Sequence, residues 1–277
     1  MTYAALLLDL GDTLVHDDHV IAHVPEALDA VSALQVAPDT RLSLALVSDY
    51  TMAAAGDPGA VARLVAEYVA RVSGYGLLRY FQPTQQHVTL STEVGVRKPD
   101  AEIFRVALSR LGVPAVLSTA MFITEDASHV AAARRLGITA WQLGVDATDW
   151  SQLPLLVARA VGDTDPGRLH AAYALRLRVL FQEPLGEVRR VEAAAHRTFA
   201  TLAGEPPQEV VLELDARGDI AALRHLHETP RDRSFHAALE DNAAIAAPGQ
   251  PLAPGQTHEA EPGPGDAPPR RKRFSIT

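Results

Sequence analysis

The sequence predicts an α/β protein: a doubly wound, parallel five-stranded sheet, with a small α+β appendage after it and a disordered tail. Three observations predict this. Short apolar runs alternate with helix-period segments from residue 4 to residue 143, the order expected of βαβ units. The first run, Ala4-Ala5-Leu6-Leu7-Leu8, carries no polar alternation, as in a strand buried on both faces. Polar or charged residues follow several of these runs at once: Asp9 after the first, Ser48 after the second, Glu125 and Asp126 after the fourth. Open α/β sheets place their ligands at that edge.

Each element has a local reason. Asp9 stops the first strand, and Gly11 permits a sharp turn. Residues 14–24 hold three His and two Asp; the spacing of His16, His19 and His23 could gather a metal on a helix, but a solvated polar flap is the plainer expectation. Pro25 opens a helix with apolar positions at Ala27, Leu28, Val31 and Leu34. Residues 42–47 form the second strand, and 60–73 an amphipathic helix with Val61, Leu64, Val65, Tyr68 and Val72 on one face. Residues 87–90 are a short third strand. Pro99 and Asp100 start a helix that Gly112 ends, which pins Lys98 just ahead of a helix N-terminus. Residues 120–124 form the fourth strand, 128–136 a helix closed by Gly137, and 138–143 the fifth strand.

Composition bounds the function. The 277 residues carry a net charge of −9, which leaves no overall basic field to hold nucleic acid. The absence of Cys excludes disulfides, thiolate catalysis and cysteine metal sites, and with the lack of a basic, signal-like N-terminal segment it leads to an expectation of a cytoplasmic protein. No apolar run approaches the ~20 residues that span a bilayer.

The ordered motifs resemble those of the haloacid dehalogenase-like (HAD) hydrolase superfamily. Asp9-Leu10-Gly11-Asp12-Thr13 resembles its first motif and Ser48 its second. Val94-Gly95-Val96-Arg97-Lys98-Pro99-Asp100 with Ile103-Phe104 resembles the third, and Phe122-Ile123-Thr124-Glu125-Asp126 with residues 131–138 the fourth. The resemblance implies a strand order of 5-4-1-2-3. It implies Asp9 as a nucleophile that forms an aspartyl-phosphate, and Lys98 and Ser48 as catalytic partners. Thr13, Ser48, Asp49 and Lys98 would face substrate, and Mg²⁺ would be held by Asp9, the carbonyl of Gly11 and Glu125 or Asp126. That chemistry suits the residues: a carboxylate attacking a phosphate dianion meets like charge, worth about 4 kcal/mol for two unit charges at 4 Å and an effective dielectric of 20, and cations offset it.

Two positions depart from the family pattern. Gly11 stands where its phosphatases carry a second Asp as general acid and base, and Glu125 stands where the fourth motif begins with Asp. Asp12, one residue further on, is not assigned the missing role, because neighbouring side chains at a strand end point to opposite faces. The expected function is therefore a Mg²⁺-dependent phosphatase. The alternatives are a catalytically impaired HAD-fold binding or regulatory protein, and another HAD chemistry such as dehalogenation.

Only 34 residues separate Thr13 from Ser48 and 49 separate Ser48 from Lys98, too few for a helical cap, so the core reads as capless. Capless members often take large substrates or rely on a partner to close the site. The expected division is a hydrolase core over 1–160, an appendage over 161–230 and a Pro/Gly-rich tail over 231–277. The appendage is read as helices over 166–183 and 186–202 and a hairpin over 209–226. Half of residues 248–269 are Pro or Gly, and Arg270-Arg271-Lys272-Arg273 follow. Residues 166–227 or the basic tail would be the handle for a protein partner; a membrane is not expected as one, nor is nucleic acid.

Overall fold

The computed structural model describes residues 3–54, 56–163, 165–181, 188–194, 197–202, 208–214 and 220–225. The chain begins with β1 (Ala5–Leu8), a small hairpin of β2 (Val15–His16) and β3 (His19–Val20), helix α1 (Val24–Ser32), and a second small hairpin of β4 (Gln35–Ala37) and β5 (Thr40–Arg41). Then come β6 (Ser43–Ser48), α2 (Pro58–Gly74), α3 (Thr84–His87), β7 (Val88–Leu90), α4 (Ser91–Val94) and α5 (Ala101–Arg110). The core continues with β8 (Ala120–Thr124), α6 (Ala127–Arg135), β9 (Thr139–Gln142) and α7 (Leu153–Val161). After it lie α8 (Pro166–Phe181) and four strands, β10 (Val188–Ala194), β11 (Arg197–Leu202), β12 (Gln208–Leu214) and β13 (Ile220–His225).

The main sheet runs β7-β6-β1-β8-β9, every pair parallel. This is the expected order, with the first strand at the centre. Side-chain alternation along β1 explains why both faces are covered. Leu6 and Leu8 point to one side, where they join Leu44, Leu46, Met121 and Ile123 with residues of α1, α2, α7 and α8. Ala5 and Leu7 point to the other, packing with Ala45, Val47 and Phe122 under α5 and α6. On that second face Phe104 meets Phe122 edge-on, ring centroids 5.3 Å apart. Each fully buried leucine is worth about 1.5–3 kcal/mol relative to exposure, so β1, buried along its whole length, is firmly held, and the residue that follows it starts from a fixed backbone.

Two expectations need correction or completion. The helix expected over 186–202 is instead two antiparallel strands, β10 and β11, paired from Val188↔Leu202 to Ala194↔Arg197. Val188, Val191, Thr198, Phe199 and Thr201 all favour strands, and that preference outweighs an approximate helical period. Helix α7 was not anticipated: it is apolar apart from the exposed Arg159, and it packs beside α1 and α8 with Leu153, Leu155, Val157 and Ala158 buried. The expected hairpin appears as β12 and β13. The tail expected over 231–277 lies outside the described residues. No helix among the described residues is long and apolar enough to cross a membrane.

Candidate active site

The carboxyl edge of the central strands carries the site. Asp9 directly follows β1. Its backbone N–H donates to Ile123 O at 3.2 Å, and its Oδ1 accepts from the backbone N–H of Leu10 at 2.8 Å. The carboxylate is thus oriented by its own chain before any partner acts.

Lys98 arrives from the loop ahead of α5. Its backbone N–H donates to Asp49 Oδ1 at 2.9 Å, so Asp49, just past β6, sets the path of the lysine segment. Asp100 then caps α5, accepting from Glu102 N at 2.8 Å. The Lys98 ammonium forms an ion pair with Asp9 Oδ2, and its side chain is only 1% exposed. A buried ammonium needs a matched anion, and Asp9 is that anion.

Ser48 ends β6 and is buried; its Oγ lies 3.4 Å from Asp9 Oδ1. It accepts a hydrogen bond from the hydroxyl of Tyr68, on α2, at 2.7 Å. Thr124 at the end of β8 touches both carboxylates, with Oγ1 3.3 Å from Asp9 Oδ2 and 3.1 Å from Glu125 Oε2. Three strands therefore deliver Asp9, Ser48 and Thr124 to one point.

The acidic pair divides. Glu125 lines the cleft above Asp9, and Asp126 does not. The Asp126 Oδ1 caps α6, accepting from Ser128 N at 2.7 Å, Ser128 Oγ at 2.6 Å and His129 N at 3.1 Å. The Ser128 hydroxyl, then the backbone N–H groups, hold the Asp126 carboxyl below its usual value. Thr13, expected at substrate, is fully buried and serves Glu125: its hydroxyl donates to Glu125 Oε2, and its Oγ1 accepts from Glu125 N at 3.3 Å. The Thr13 carbonyl in turn accepts from the indole N–H of the buried Trp150 at 2.8 Å.

These groups open into a cleft of about 520 Å³, a size suited to a small molecule. Gly11 and Asp12 line it. Asp12 has a positive φ of 51°, and its carboxylate meets His16 Nδ1 at 2.6 Å, which raises the imidazole pKa. The β2–β3 hairpin reaches across to α2. Asp18 Oδ1 accepts from Arg71 at 2.5 Å and from the Tyr75 hydroxyl at 2.7 Å, and these bonds, Tyr75 first, lower the Asp18 pKa. The flap expectation for residues 14–24 holds only for the polar tip of the hairpin, because Leu14, Val15 and Val24 are buried in the core; His16 and His19 lie in the hairpin and His23 at the start of α1. Among the described residues no group of three or more His, Asp or Glu side chains is placed to hold a metal.

Among the described residues the cleft lining holds six carboxylates, with Lys98 and Arg71 as fixed cations. Asp9, Gly11 and Glu125 all line it, and between them they offer two carboxylates and a backbone carbonyl. That set suits Mg²⁺, a hard cation that takes one or two carboxylates and keeps several waters. Tyr68, Thr124 and Trp150 are the parts that sequence reasoning missed. In the sequence Tyr68 is one of the apolar-face residues of its helix, Thr124 ends a strand, and Trp150 lies beyond the motifs.

No family model matches the chain, and a search of curated proteins returned no match. Among solved structures, the chain is similar to a HAD-superfamily hydrolase from Ehrlichia chaffeensis, with 12% identity and a TM-score of 0.44 over 58% of this chain and 99% of that one. It is also similar to an uncharacterized protein from Corynebacterium glutamicum, with 16% identity and a TM-score of 0.37 over 57% of this chain and 94% of that one.

Proposed function

We propose that this chain is a HAD-like hydrolase that cleaves phosphoric monoesters through a phosphorylated Asp9. The observation that carries the reading is the buried ion pair of Lys98 with Asp9, at the tip of the central strand, under a cleft that Ser48 and Glu125 share. An Asp at this edge held by a buried Lys is ready to meet an anionic electrophile, because the lysine charge offsets the approach of a phosphate.

In the first step an Asp9 carboxylate oxygen attacks phosphorus, the bond to the leaving oxygen breaks, and that oxygen takes a proton from solvent, since Gly11 has none to give. In the second step water attacks the same phosphorus, releasing inorganic phosphate and restoring Asp9. Ser48 donates to a phosphoryl oxygen. Lys98 neutralises the nucleophile at rest and the phosphoryl group during transfer. Asp49 holds the Lys98 backbone, and Thr13 and Thr124 hold Glu125. Asp9, the Gly11 carbonyl and Glu125 would hold Mg²⁺, with Asp126 occupied as a helix cap. Bound Mg²⁺ supplies positive charge against the repulsion between carboxylate and phosphate.

A colorimetric assay with p-nitrophenyl phosphate, with and without Mg²⁺, tests this. Mg²⁺-dependent release that Asp9→Asn abolishes is the expected result. Glu125→Gln should raise the Mg²⁺ concentration needed, and Asp126→Asn should leave it unchanged. Gly11 favours a second reading, a HAD-fold binding protein without turnover. Wild-type protein that binds phosphate with Mg²⁺ but releases no nitrophenol would favour it.

A further inference from the structure

We propose that Tyr68 is a positioning residue that commits the Ser48 hydrogen to the cleft; this rests on the phosphatase reading above. A serine hydroxyl has one hydrogen to give and two lone pairs to receive. In a free hydroxyl that hydrogen rotates. Here the Tyr68 hydroxyl lies 2.7 Å from Ser48 Oγ, at the end of a side chain that is 2% exposed. Tyr68 is one of two buried residues on α2, and Tyr50 packs edge-on against its ring at 5.3 Å, so the phenol is held in place.

The direction of the bond follows from what each partner can afford. Burial keeps the phenol protonated, well above its ordinary pKa. If Ser48 donated to Tyr68, the buried phenol hydrogen would need another acceptor, and an unmet buried donor is costly. With Tyr68 donating, one Ser48 lone pair is filled and the seryl hydrogen turns away, toward the cleft. There it faces Asp9 Oδ1 at 3.4 Å, longer than the 2.5–3.0 Å of an ordinary O–H···O bond. Asp9 does not hold this hydrogen firmly, so it stays available for an incoming oxyanion. A phosphoryl oxygen arriving at the site would complete a chain from Tyr68 through Ser48 to phosphate.

The test is a double-mutant cycle on inhibition by orthovanadate, with Mg²⁺ present and p-nitrophenyl phosphate as reporter. Tyr68→Phe removes the donor and keeps the ring. It should raise the vanadate inhibition constant about three- to tenfold, the scale of one neutral hydrogen bond. Ser48→Ala should raise it at least as much, and the double variant no more than Ser48→Ala alone. Because Tyr68→Phe could also disturb folding, 3-fluorotyrosine at position 68 provides the opposite perturbation: a stronger donor of the same shape, expected to lower the constant. Full additivity of the two single variants, or a fluorotyrosine protein with an unchanged constant, overturns the proposal while leaving the phosphatase reading intact. Wild-type protein that neither hydrolyses the ester nor binds vanadate overturns both.

Discussion

Under the proposed chemistry, replacing Gly11 with Asp should speed ester hydrolysis. The backbone accepts the change: Gly11 is not among the glycines with positive φ, and a Cβ built there has nothing within 4 Å. The position is exposed and lines the cleft, so folding stability should change by no more than about 0.5 kcal/mol. A carboxyl here could protonate the leaving oxygen and then take a proton from the attacking water, roles typically worth about 10²–10⁴-fold. It also adds a charge to a lining that already carries six carboxylates. At about 6 Å from a phosphate dianion in a water-like medium the repulsion is roughly 1.4 kcal/mol, about tenfold in KM. The net expectation is kcat up by about 10²–10⁴ and kcat/KM up by about 10–10³. The gain should be largest for an alkyl ester, whose leaving alkoxide needs the proton most. Phosphate release from β-glycerophosphate and from p-nitrophenyl phosphate, wild type against Gly11→Asp, measures it. A folded variant with unchanged kcat on the alkyl ester refutes the reasoning. It would mean that the missing acid is not the limiting defect, or that Asp12 already does its work.

Lys98→Met should destabilise the fold by about 3–5 kcal/mol in Mg²⁺-free buffer, because it strands the Asp9 carboxylate without its cation; urea denaturation showing a loss under 1 kcal/mol would contradict the buried pair. Asp163 tests a second, purely structural anchor. Burial alone would raise its carboxyl, but Arg168, at 2.8 and 2.9 Å, and the N–H groups of Gln35 and Asp165 outweigh it and hold its pKa below the ordinary value. A depressed carboxyl means the unfolded chain binds the extra proton first. Its contribution is therefore full above the ordinary aspartate pKa and fades as pH falls through the folded value. Asp163→Asn should cost roughly 1.5–3 kcal/mol at pH 7, and the gap to wild type should narrow in denaturation curves taken toward pH 3. A gap that is constant with pH would refute the assignment.

The pieces that sequence reasoning placed well share a cause. Strands buried on both faces must be apolar throughout, so β1, β6 and β8 announced themselves, and so did the polar residues that end them. Asp9, Ser48 and Lys98 were legible as a set because each sits where an element ends, and ends are where chemistry interrupts a pattern. The pieces that were misread lack that interruption. Tyr68 looks like any aromatic on a buried helix face until its hydroxyl is seen to meet Ser48. The stretch over 186–202 shows an approximate helical period, yet it is rich in β-branched and aromatic residues, and 188–194 and 197–202 pair as strands.

What the amino-acid order by itself determined was the parallel sheet and the identity of the groups at its carboxyl edge, since both follow from local hydrophobicity and from where it stops. Only the tertiary structure decided how those groups divide their work. Asp126 turns back to cap α6 and Glu125 turns into the cleft; Thr13 supports Glu125, and Asp49 supports the Lys98 backbone. Neighbouring side chains at a strand end leave in different directions, and which of them meets a partner depends on elements far away in the chain.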